Sequence, residues 1–177
     1  TNTAANAADF GARIGYGYWS QDFGGSINST NEEIGQIHVT NDLGVDSENA
    51  ASFYIVLEHP LGIVPNVRFQ HTELESETES VLRRTTTYDS VTFNADQSIL
   101  SGMDLSHDDL SLYWQPVQQK KFSLGLGVTI RILDGSFAII DIATAARARQ
   151  TIDEALPLPY LQFNYKIGDT GVTFGAD

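Results

Sequence analysis

A short polar run, Ser106-His107-Asp108-Asp109, holds the side-chain types of a nucleophilic hydrolase: a hydroxyl, an imidazole and carboxylates. Successive side chains of a strand point to opposite faces, so Ser106 and His107 cannot form a dyad with each other. Parity along two neighbouring predicted strands instead brings another histidine and two carboxylates to the outward face of the serine. The candidate catalytic residues are Ser106, His71, Glu73 and Asp108.

These four residues lie near one rim of the predicted sheet, at the level where lipid headgroups would contact a membrane protein. A serine, a histidine and a carboxylate that face lipid can cleave an acyl ester, and outer-membrane lipid A deacylases use an outward-facing site of this kind. Short polar residues are also typical of the interfacial end of a strand. A lipid-modifying hydrolase and a non-catalytic rim are therefore alternatives at this stage.

Other catalytic motifs are missing from the sequence. It has no metal-binding motif, phosphate loop or nucleophile elbow, and no cysteine that could supply a thiolate. Acids are frequent in the predicted long connections, but oxygen ligands for a divalent cation need a convergent geometry that spacing does not give. We expect no metal site and no cofactor. The acids are Glu32, Glu33, Asp42, Asp46, Glu48, Glu73, Glu75, Glu77 and Glu79.

Charge and length limit the class of protein. The net charge of −13 and the pI near 4.4 exclude a nucleic-acid partner, because a phosphate backbone repels such a surface. The 177 residues, 41% of them hydrophobic, are enough for a single domain over 1–177. No run of about eighteen apolar residues occurs, which excludes a transmembrane helix. Thr1–Ala8 reads as the polar start of a mature chain whose signal peptide has been removed.

The clearest element runs from Phe122 to Ile132, where large apolar residues alternate with small or polar ones. A period of two predicts a strand. One face is continuous and apolar, whereas the other face carries Ser123, Gly125, Gly127, Thr129 and Arg131. A strand that crosses a bilayer has about this length and this pattern.

The same alternation predicts further strands, and the connections between them alternate between long and short. The strands are Phe10–Trp19, Ala51–Glu58, Asn66–Thr72, Leu105–Gln115 and Tyr160–Ile167, with a stub at Val172–Gly175. The long connections are Ser20–Asn49, Glu75–Met103 and Ser136–Leu156. Because short periplasmic turns and long extracellular loops are typical of transmembrane barrels, we predict an all-β, antiparallel up-and-down transmembrane β-barrel.

Local signals add detail to the long connections. Ile34–Val39 would extend a strand, and Thr85–Asn94 would extend a hairpin beyond the membrane. Asp134-Gly135 is predicted to break the strand that begins at Phe122. Ala143–Ala148 is compatible with a brief helix or a loop, and Pro157 and Pro159 are predicted to precede the strand that begins at Tyr160.

The small and polar face suits a narrow, filled barrel interior, in which a buried charge needs a partner. We predict an interior salt-bridge network whose hydrogen bonds are completed by Tyr54, Tyr113 and Gln162. Its charged members are Arg13, Glu58, Arg68, Asp109, Arg131 and Lys166. A conducting or gated pore is the alternative, although about eight strands leave little open lumen.

Aromatic residues near the strand ends of the apolar face would form the interfacial girdles of a membrane barrel. These are Tyr16, Tyr18, Trp114, Phe122 and Tyr165. The alternative is a soluble, lipocalin-like ligand-binding barrel with its apolar face inside. The outer face of a soluble barrel would carry frequent Lys and Glu, whereas the non-apolar faces here carry glycines and scattered charges, which favours the membrane barrel.

The predicted strand number is odd and incomplete. Bacterial single-chain barrels have an even number of strands, from about eight upward, and an open sheet edge in lipid leaves backbone groups unpaired. We therefore expect an eight-stranded barrel of which this chain covers about six and a half strands and lacks the C-terminal ones.

Several short segments stand out: Gly17-Tyr-Trp19, Leu57-Glu-His-Pro60, Pro65–Thr72, Asp104–Asp109 and Leu156-Pro-Leu-Pro-Tyr160. Together they resemble a family of small Gram-negative outer-membrane β-barrel proteins of uncharacterised function. The resemblance covers Gly17 to about Tyr165 and departs from the family in the C-terminal strands with their final aromatic residue. It implies export through a signal peptide and residence in the outer membrane, without implying an activity or a cofactor.

The sequence thus predicts a small integral protein of a Gram-negative outer membrane. Its expected role is structural, or one of surface interaction through long acidic extracellular loops. Its expected partners are outer-membrane lipid and lipopolysaccharide, with an extracellular partner of the loops left open. The alternatives are the lipid A-modifying hydrolase and the soluble ligand-binding barrel.

Overall fold

The computed structural model describes residues 10–22, 24–28, 36–38, 40, 43–44, 47–119, 121–167 and 173–176. The fold is all-β, and no helix in these residues is long and apolar enough to span a membrane. The strands are β1 Gly11–Asp22, β2 Ser26–Asn28, β3 Gln36–His38, β4 Ser47–Glu58, β5 Asn66–Glu73, β6 Glu75–Val81, β7 Thr86–Tyr88, β8 Val91–Phe93, β9 Ser98–Asp104, β10 His107–Gln118, β11 Phe122–Asp141, β12 Arg147–Lys166 and β13 Thr173–Ala176.

One antiparallel sheet dominates the molecule, with the strand order β1-β4-β5-β10-β11-β12-β13. This order follows the chain, so the predicted up-and-down antiparallel arrangement is confirmed. Two small hairpins, β2-β3 and β7-β8, lie in the long connections. The strand extension predicted within Ile34–Val39 corresponds to β3, and the stub at the end of the sequence corresponds to β13. Residues 34, 35, 39 and 172 lie outside the described residues.

The second long connection is a continuation of the sheet. Thr72 of β5 pairs with His107 of β10, and Glu75 of β6 pairs with Asp104 of β9. Between these two pairs the first segment runs three residues forward and the second runs three residues back. β6 and β9 therefore extend β5 and β10 in the same antiparallel register. The predicted Thr85–Asn94 hairpin is found as β7 and β8 at the tip. The long connection predicted at Glu75–Met103 therefore consists largely of strands, from β6 to β9.

The third long connection is also a strand pair. β11 and β12 form one hairpin, in which Ile140 pairs with Arg147 and Phe122 with Tyr165. Asp134-Gly135 does not break β11, and Gly135 instead permits close approach of β9, since a Cβ there would lie 2.7 Å from the carbonyl oxygen of Asp104. The brief helix considered at Ala143–Ala148 is absent, because these residues form a turn and the start of β12.

Prolines were taken as strand boundaries, and this was wrong at three positions. Pro157 and Pro159 lie within β12, opposite Ile130 and Val128 of β11. Along this part of β12, the described residues pair it with β11 only. Pro116 lies within β10, at an irregularity in the register where a ladder bond is already interrupted.

The sheet has two chemically different faces. Its outward face, which carries Val128 of β11, is apolar and exposed across β1, β4, β5, β10, β11 and β12. We call the exposed large side chains of this face the apolar belt: Ile14, Tyr16, Tyr18, Phe53, Leu57, Phe69, Leu110, Leu112, Trp114, Leu126, Val128, Ile130, Ile132, Leu161, Phe163 and Tyr165. The buried side chains lie on the opposite, inward face, so this protein buries its polar side and exposes its apolar side.

Tyrosines fill the inward face at the level of the belt. Tyr113 and Tyr160 are buried with their ring centroids 5.0 Å apart, and Val56 and Tyr54 pack against them. Glycines make the room for these rings, since a Cβ at Gly15 would overlap the ring of Tyr54. The inward face is thus packed with rings against small residues at this level, whereas the closed barrel interior stays a prediction.

A bulky side chain at Gly127 is expected to disrupt the sheet. A Cβ there would overlap the carbonyl oxygen of Leu112 and lie 2.6 Å from the Cα of Tyr113. We expect Gly127→Leu to lower the free energy of unfolding by about 3 kcal/mol or more, because backbone cannot move aside as a side chain can. A urea titration of the refolded protein measures this. Gly102→Leu is the matched control, since nothing lies within 4 Å of a Cβ at Gly102, and an equal loss there would contradict the explanation.

A second apolar core packs on the inward face of the sheet above the belt. Leu82, Phe93, Ile99 and Ile139 are fully buried there, and Tyr88 lies edge-on against Phe137 with a centroid separation of 5.3 Å. This upper core joins the β7–β8 hairpin to the inward face of β9, β11 and β12. We use "upper" for this end of the sheet and "lower" for the end at Glu58 and Phe122.

The sheet is open in the described residues. β1 and β13 are its two ends, and no described pair joins them. The structure thus shows an all-β antiparallel sheet with an exposed apolar face, without a closed ring of strands.

Candidate functional site

A histidine–carboxylate pair lies on the outward face at the upper edge of the apolar belt. The register places His71 of β5 directly opposite Asp108 of β10, and His71 Nδ1 lies 2.9 Å from Asp108 Oδ1. Both side chains are about half exposed, at 51% and 47%. Two of the four candidate catalytic residues are therefore in contact; parity predicted their common face, whereas the contact itself follows from the register.

Ser106 has a different role in this geometry. It lies between β9 and β10, and its Oγ accepts a hydrogen bond of 3.1 Å from the backbone N–H of Leu74, between β5 and β6. Its own N–H donates to Asp104 Oδ1 at 2.9 Å. These bonds hold the two strand junctions together. Among the described contacts none joins Ser106 to His71, and Glu73 is exposed without a described bond to the pair.

Replacing Ser106 should have a modest structural effect. Ser106→Ala removes the acceptor of the Leu74 N–H, which is half-buried at the strand junction, so we expect a loss of about 1 kcal/mol in the free energy of unfolding. His71→Ala breaks only an exposed pair and should cost about 0.5 kcal/mol or less. Urea titrations of the two variants measure the difference, and a larger cost for His71→Ala would contradict this assignment.

The interior polar network forms two clusters on the inward face. In the lower cluster, Glu58 Oε1 accepts three hydrogen bonds, from Arg13 at 2.9 Å, Tyr113 at 2.8 Å and Gln115 at 3.0 Å. Gln115 also donates to Gln162 at 3.3 Å. Tyr113 and Gln162 thus take the hydrogen-bonding roles predicted for them, whereas Gln115 was not assigned to the network.

The upper cluster of the interior is a bidentate ion pair. Arg131 donates to both carboxylate oxygens of Asp109, at 2.9 and 2.8 Å. The Asp109 side chain is only 11% exposed, and His107 Nε2 approaches it to 4.0 Å. Asp109 and Arg131 form this pair because they lie directly opposite each other on β10 and β11. A geometry of this kind fixes the register of the two strands as well as compensating the buried charge.

The remaining predicted members of the network differ from each other. Arg68 stacks over the ring of Tyr54, with its guanidinium carbon 4.8 Å from the centroid, so part of its compensation is aromatic. Lys166 is exposed at the lower mouth of the interior rather than buried with an acid. Lys166 was predicted to face inward by parity. It lies at the end of β12, beyond the packed residues of the inward face.

That lower mouth is an open pocket of about 260 Å³ with a polar lining. Amide and hydroxyl groups alternate with cations around it, and its lining includes Arg13, Glu58, Gln115, Gln118, Lys121, Ser123, Asn164 and Lys166. The sequence has three lysines, at positions 120, 121 and 166, and Lys121 and Lys166 line this mouth. Position 120 lies outside the described residues. Three of the ten Lys and Arg side chains of this strongly acidic protein, Arg13, Lys121 and Lys166, therefore lie together with Glu58 at the lower end.

The predicted girdle aromatics lie on the outward face. Tyr16 and Tyr18 are 70% and 65% exposed near the upper part of β1. Trp114 donates its indole N–H to the carbonyl oxygen of Ile63 at 3.2 Å, which ties the lower edge of the belt to the short turn before β5. Phe122 stacks on Phe163 at 5.1 Å, next to the exposed Tyr165.

The upper core holds a buried phenol outside the belt. Tyr88 donates to Gln150 at 3.0 Å, and burial, with a smaller contribution from the Asp89 carboxylate, raises the pKa of Tyr88. The phenol therefore stays protonated at neutral pH and remains a donor. In the described part of the chain, no group of three or more His, Asp or Glu side chains is arranged to hold a metal ion.

Comparisons with known proteins add no support to these assignments, which rest on the geometry of the structure. No protein-family model matches the chain. No curated protein matches it. No solved structure matches it either.

Proposed function

We propose that this protein is a small integral β-barrel of a Gram-negative outer membrane, with a structural or surface-interaction role and no catalytic one. The observation that carries the proposal is the apolar belt. Its side chains are exposed on six adjacent strands, whereas Ser111, Thr129 and Gln162 are buried on the other face. A contiguous apolar surface of this size is costly in water and favourable in lipid.

The dimensions of the belt fit a bilayer. On β11 the outward apolar positions run from the half-buried Phe122 and Leu124 to Ile132, the last residue of the belt, which is about 34 Å along the strand. A strand tilted by about 40° spans about 26 Å along the membrane normal in this length, close to the apolar band of about 25 Å in outer-membrane barrels.

The belt is also oblique to the strand register, as tilted strands require. The outward position level with Tyr18 and Ala51 is the acid Glu73 on β5. The outward positions level with Tyr16 and Phe53 are His71 and Asp108. At the other edge, Phe122 and Tyr165 extend the belt downwards on β11 and β12. A horizontal lipid layer crossing tilted strands produces this shift.

In the proposed barrel, the sheet closes with eight strands, the smallest usual number, because an open edge in lipid would leave backbone groups unpaired. The short turns and the lysine-lined mouth face the periplasm, and the upper core with its acidic strands extends outside the cell. Tyrosines and ion pairs occlude the interior, so no conducting pore is proposed. The same picture agrees with the family of small outer-membrane barrels that the sequence resembles.

Heat-modifiable migration on a gel tests the proposal. Outer membranes are prepared from cells that express the protein with a signal peptide, and unheated and boiled samples are compared. We expect the protein in the outer-membrane fraction, with a faster-migrating folded form that boiling abolishes. Recovery in the soluble periplasmic fraction would instead support the lipocalin-like alternative.

The second candidate function is hydrolysis of lipid A acyl esters at the outward rim. The 2.9 Å His71–Asp108 contact favours it, whereas the engagement of Ser106 with the Leu74 N–H opposes it. Mass spectra of lipid A from cells that overexpress the protein decide between the two. We expect unchanged acylation for the wild type and for Ser106→Ala; a loss of an acyl chain that Ser106→Ala abolishes would establish the hydrolase.

A further inference from the structure

We propose that the outward face of the upper sheet binds the phosphorylated sugar headgroup of lipopolysaccharide, through Arg147 and Arg149. The inference rests on the proposed membrane barrel and adds to it a site, a ligand class and a ligand orientation. The site is a shallow pocket of about 480 Å³, which we call the upper groove. Its lining includes Glu75, Glu77, Leu100, Gly102, Ser136, Ala138, Ile140, Arg147 and Arg149.

The upper groove continues the face that carries the apolar belt. Ser136, Ala138 and Ile140 have the same parity on the unbroken strand β11 as Val128 and Ile130. Ala138 lies six residues beyond Ile132, the last belt residue of β11, which is about 20 Å along the strand. A surface that faces outward at this level meets the sugar and phosphate layer above the acyl chains, and not the acyl chains themselves.

One register row across the floor of the groove lacks bulky side chains. Gly102 of β9 lies opposite Ala138 of β11, and nothing lies within 4 Å of a Cβ built at Gly102. Arg149 of β12 is the partner of Ala138 on the other side, and Glu77 of β6 is the partner of Gly102. One register row thus reads Glu77, Gly102, Ala138, Arg149, with small residues between two charged walls. A sugar ring can approach the backbone there.

The arginine wall supplies the anion contact. Arg147 and Arg149 are exposed and project from the same face of β12, about 7 Å apart. Arg149 donates one bond to Ser136 at 3.2 Å, which orients its guanidinium beside the groove and leaves further donors for a ligand. Guanidinium groups bind phosphate in a bidentate manner, and they do so with more geometric selectivity than an ammonium group.

The acidic wall sets the orientation of the ligand. Glu75 and Glu77 are exposed on β6, across two strands from the arginines. They repel a bare phosphate, so the phosphate groups are held on the β12 side of the groove. The divalent cations that accompany lipopolysaccharide phosphates offset the charge of the carboxylates. We therefore expect Mg²⁺ to strengthen binding, although the arginines carry the specificity.

Binding of the purified protein to rough-type lipopolysaccharide, with and without Mg²⁺, tests the site. The variant is Arg147→Gln/Arg149→Gln. The control is Arg83→Gln/Arg84→Gln, which removes the same charge from the segment between β6 and β7. A parallel arm uses lipopolysaccharide whose phosphates have been removed. We expect the variant to bind at least about tenfold more weakly than the wild type, and the control to bind as the wild type does. The dephosphorylated lipopolysaccharide should bind the variant and the control with equal affinity.

Heat-modifiable migration of both variants separates this proposal from the one on which it rests. Folded variants in the outer membrane with equal affinities for lipopolysaccharide would overturn the site and leave the barrel standing. Equal losses in variant and control would show an unspecific effect of charge, and undiminished binding of the dephosphorylated ligand would show that phosphate is not recognised. Either result would also overturn the site.

Discussion

Val128→Arg is expected to lower the free energy of unfolding in lipid vesicles by about 2–4 kcal/mol, the cost of a cationic side chain at the midplane of a membrane barrel. Val128 lies on the outward face near the middle of the belt segment of β11, between the exposed Leu126 and Ile130. In the proposed barrel its neighbours outside the sheet are acyl chains, which cannot solvate a guanidinium group.

Asp134→Arg is the matched control for this measurement. It places the same side chain on the same strand and face, six residues higher, at an exposed position beyond the belt. We expect a change of about 0.5 kcal/mol or less there. Urea titrations of the two variants refolded into vesicles provide the comparison. Similar small effects at both positions would contradict the lipid-facing assignment, because they would mean that water solvates the guanidinium group at both positions.

The second large effect is expected inside the sheet. Asp109→Ala should lower the free energy of unfolding by about 3 kcal/mol, because it leaves the Arg131 guanidinium without its bidentate acceptor in a half-buried site. Arg131 is 35% exposed and can draw on water, so the loss should fall at the lower end of the range for fully buried pairs.

The double variant Asp109→Ala/Arg131→Met separates the ion pair from simple truncation. With both charges removed, no unpaired group remains, and we expect most of the lost stability to return. Asp153→Ala, an exposed acid on β12, serves as the control and should change little. Urea titration again measures each value. A double variant no more stable than Asp109→Ala alone would show that the pair is not the source of the effect.

The molecule divides into two parts with different tasks. At the level of the belt, the buried Tyr113 and Tyr160 pack on the inward face, and Tyr113 donates a hydrogen bond to Glu58. Above it, the extended strands β6, β9, β11 and β12 carry a separate apolar core on one face and the upper groove on the other. The proposed contact with lipopolysaccharide therefore lies on paired strands rather than on a loop.

The sequence by itself determined the faces of the strands. Strict alternation in Phe122–Ile132 separates apolar from small and polar residues, and a side-chain period of two leaves no other arrangement in a strand. The same parity placed His71 and Asp108 outward and Asp109 and Arg131 inward, and these pairs are found in contact. Alternation is a local property, so it could be taken from neighbouring residues alone.

Strand ends and strand partners required the tertiary structure. Gly135 and Pro157 are turn formers by local propensity, yet both lie inside long strands. Gly135 permits the close approach of β9, and Pro157 is paired across the ladder with Ile130 of β11. Which cross-strand residues meet depends on register, and this decided the role of Ser106, the position of Lys166 and the row from Glu77 to Arg149. Register is a relation between distant segments, and local patterns do not contain it.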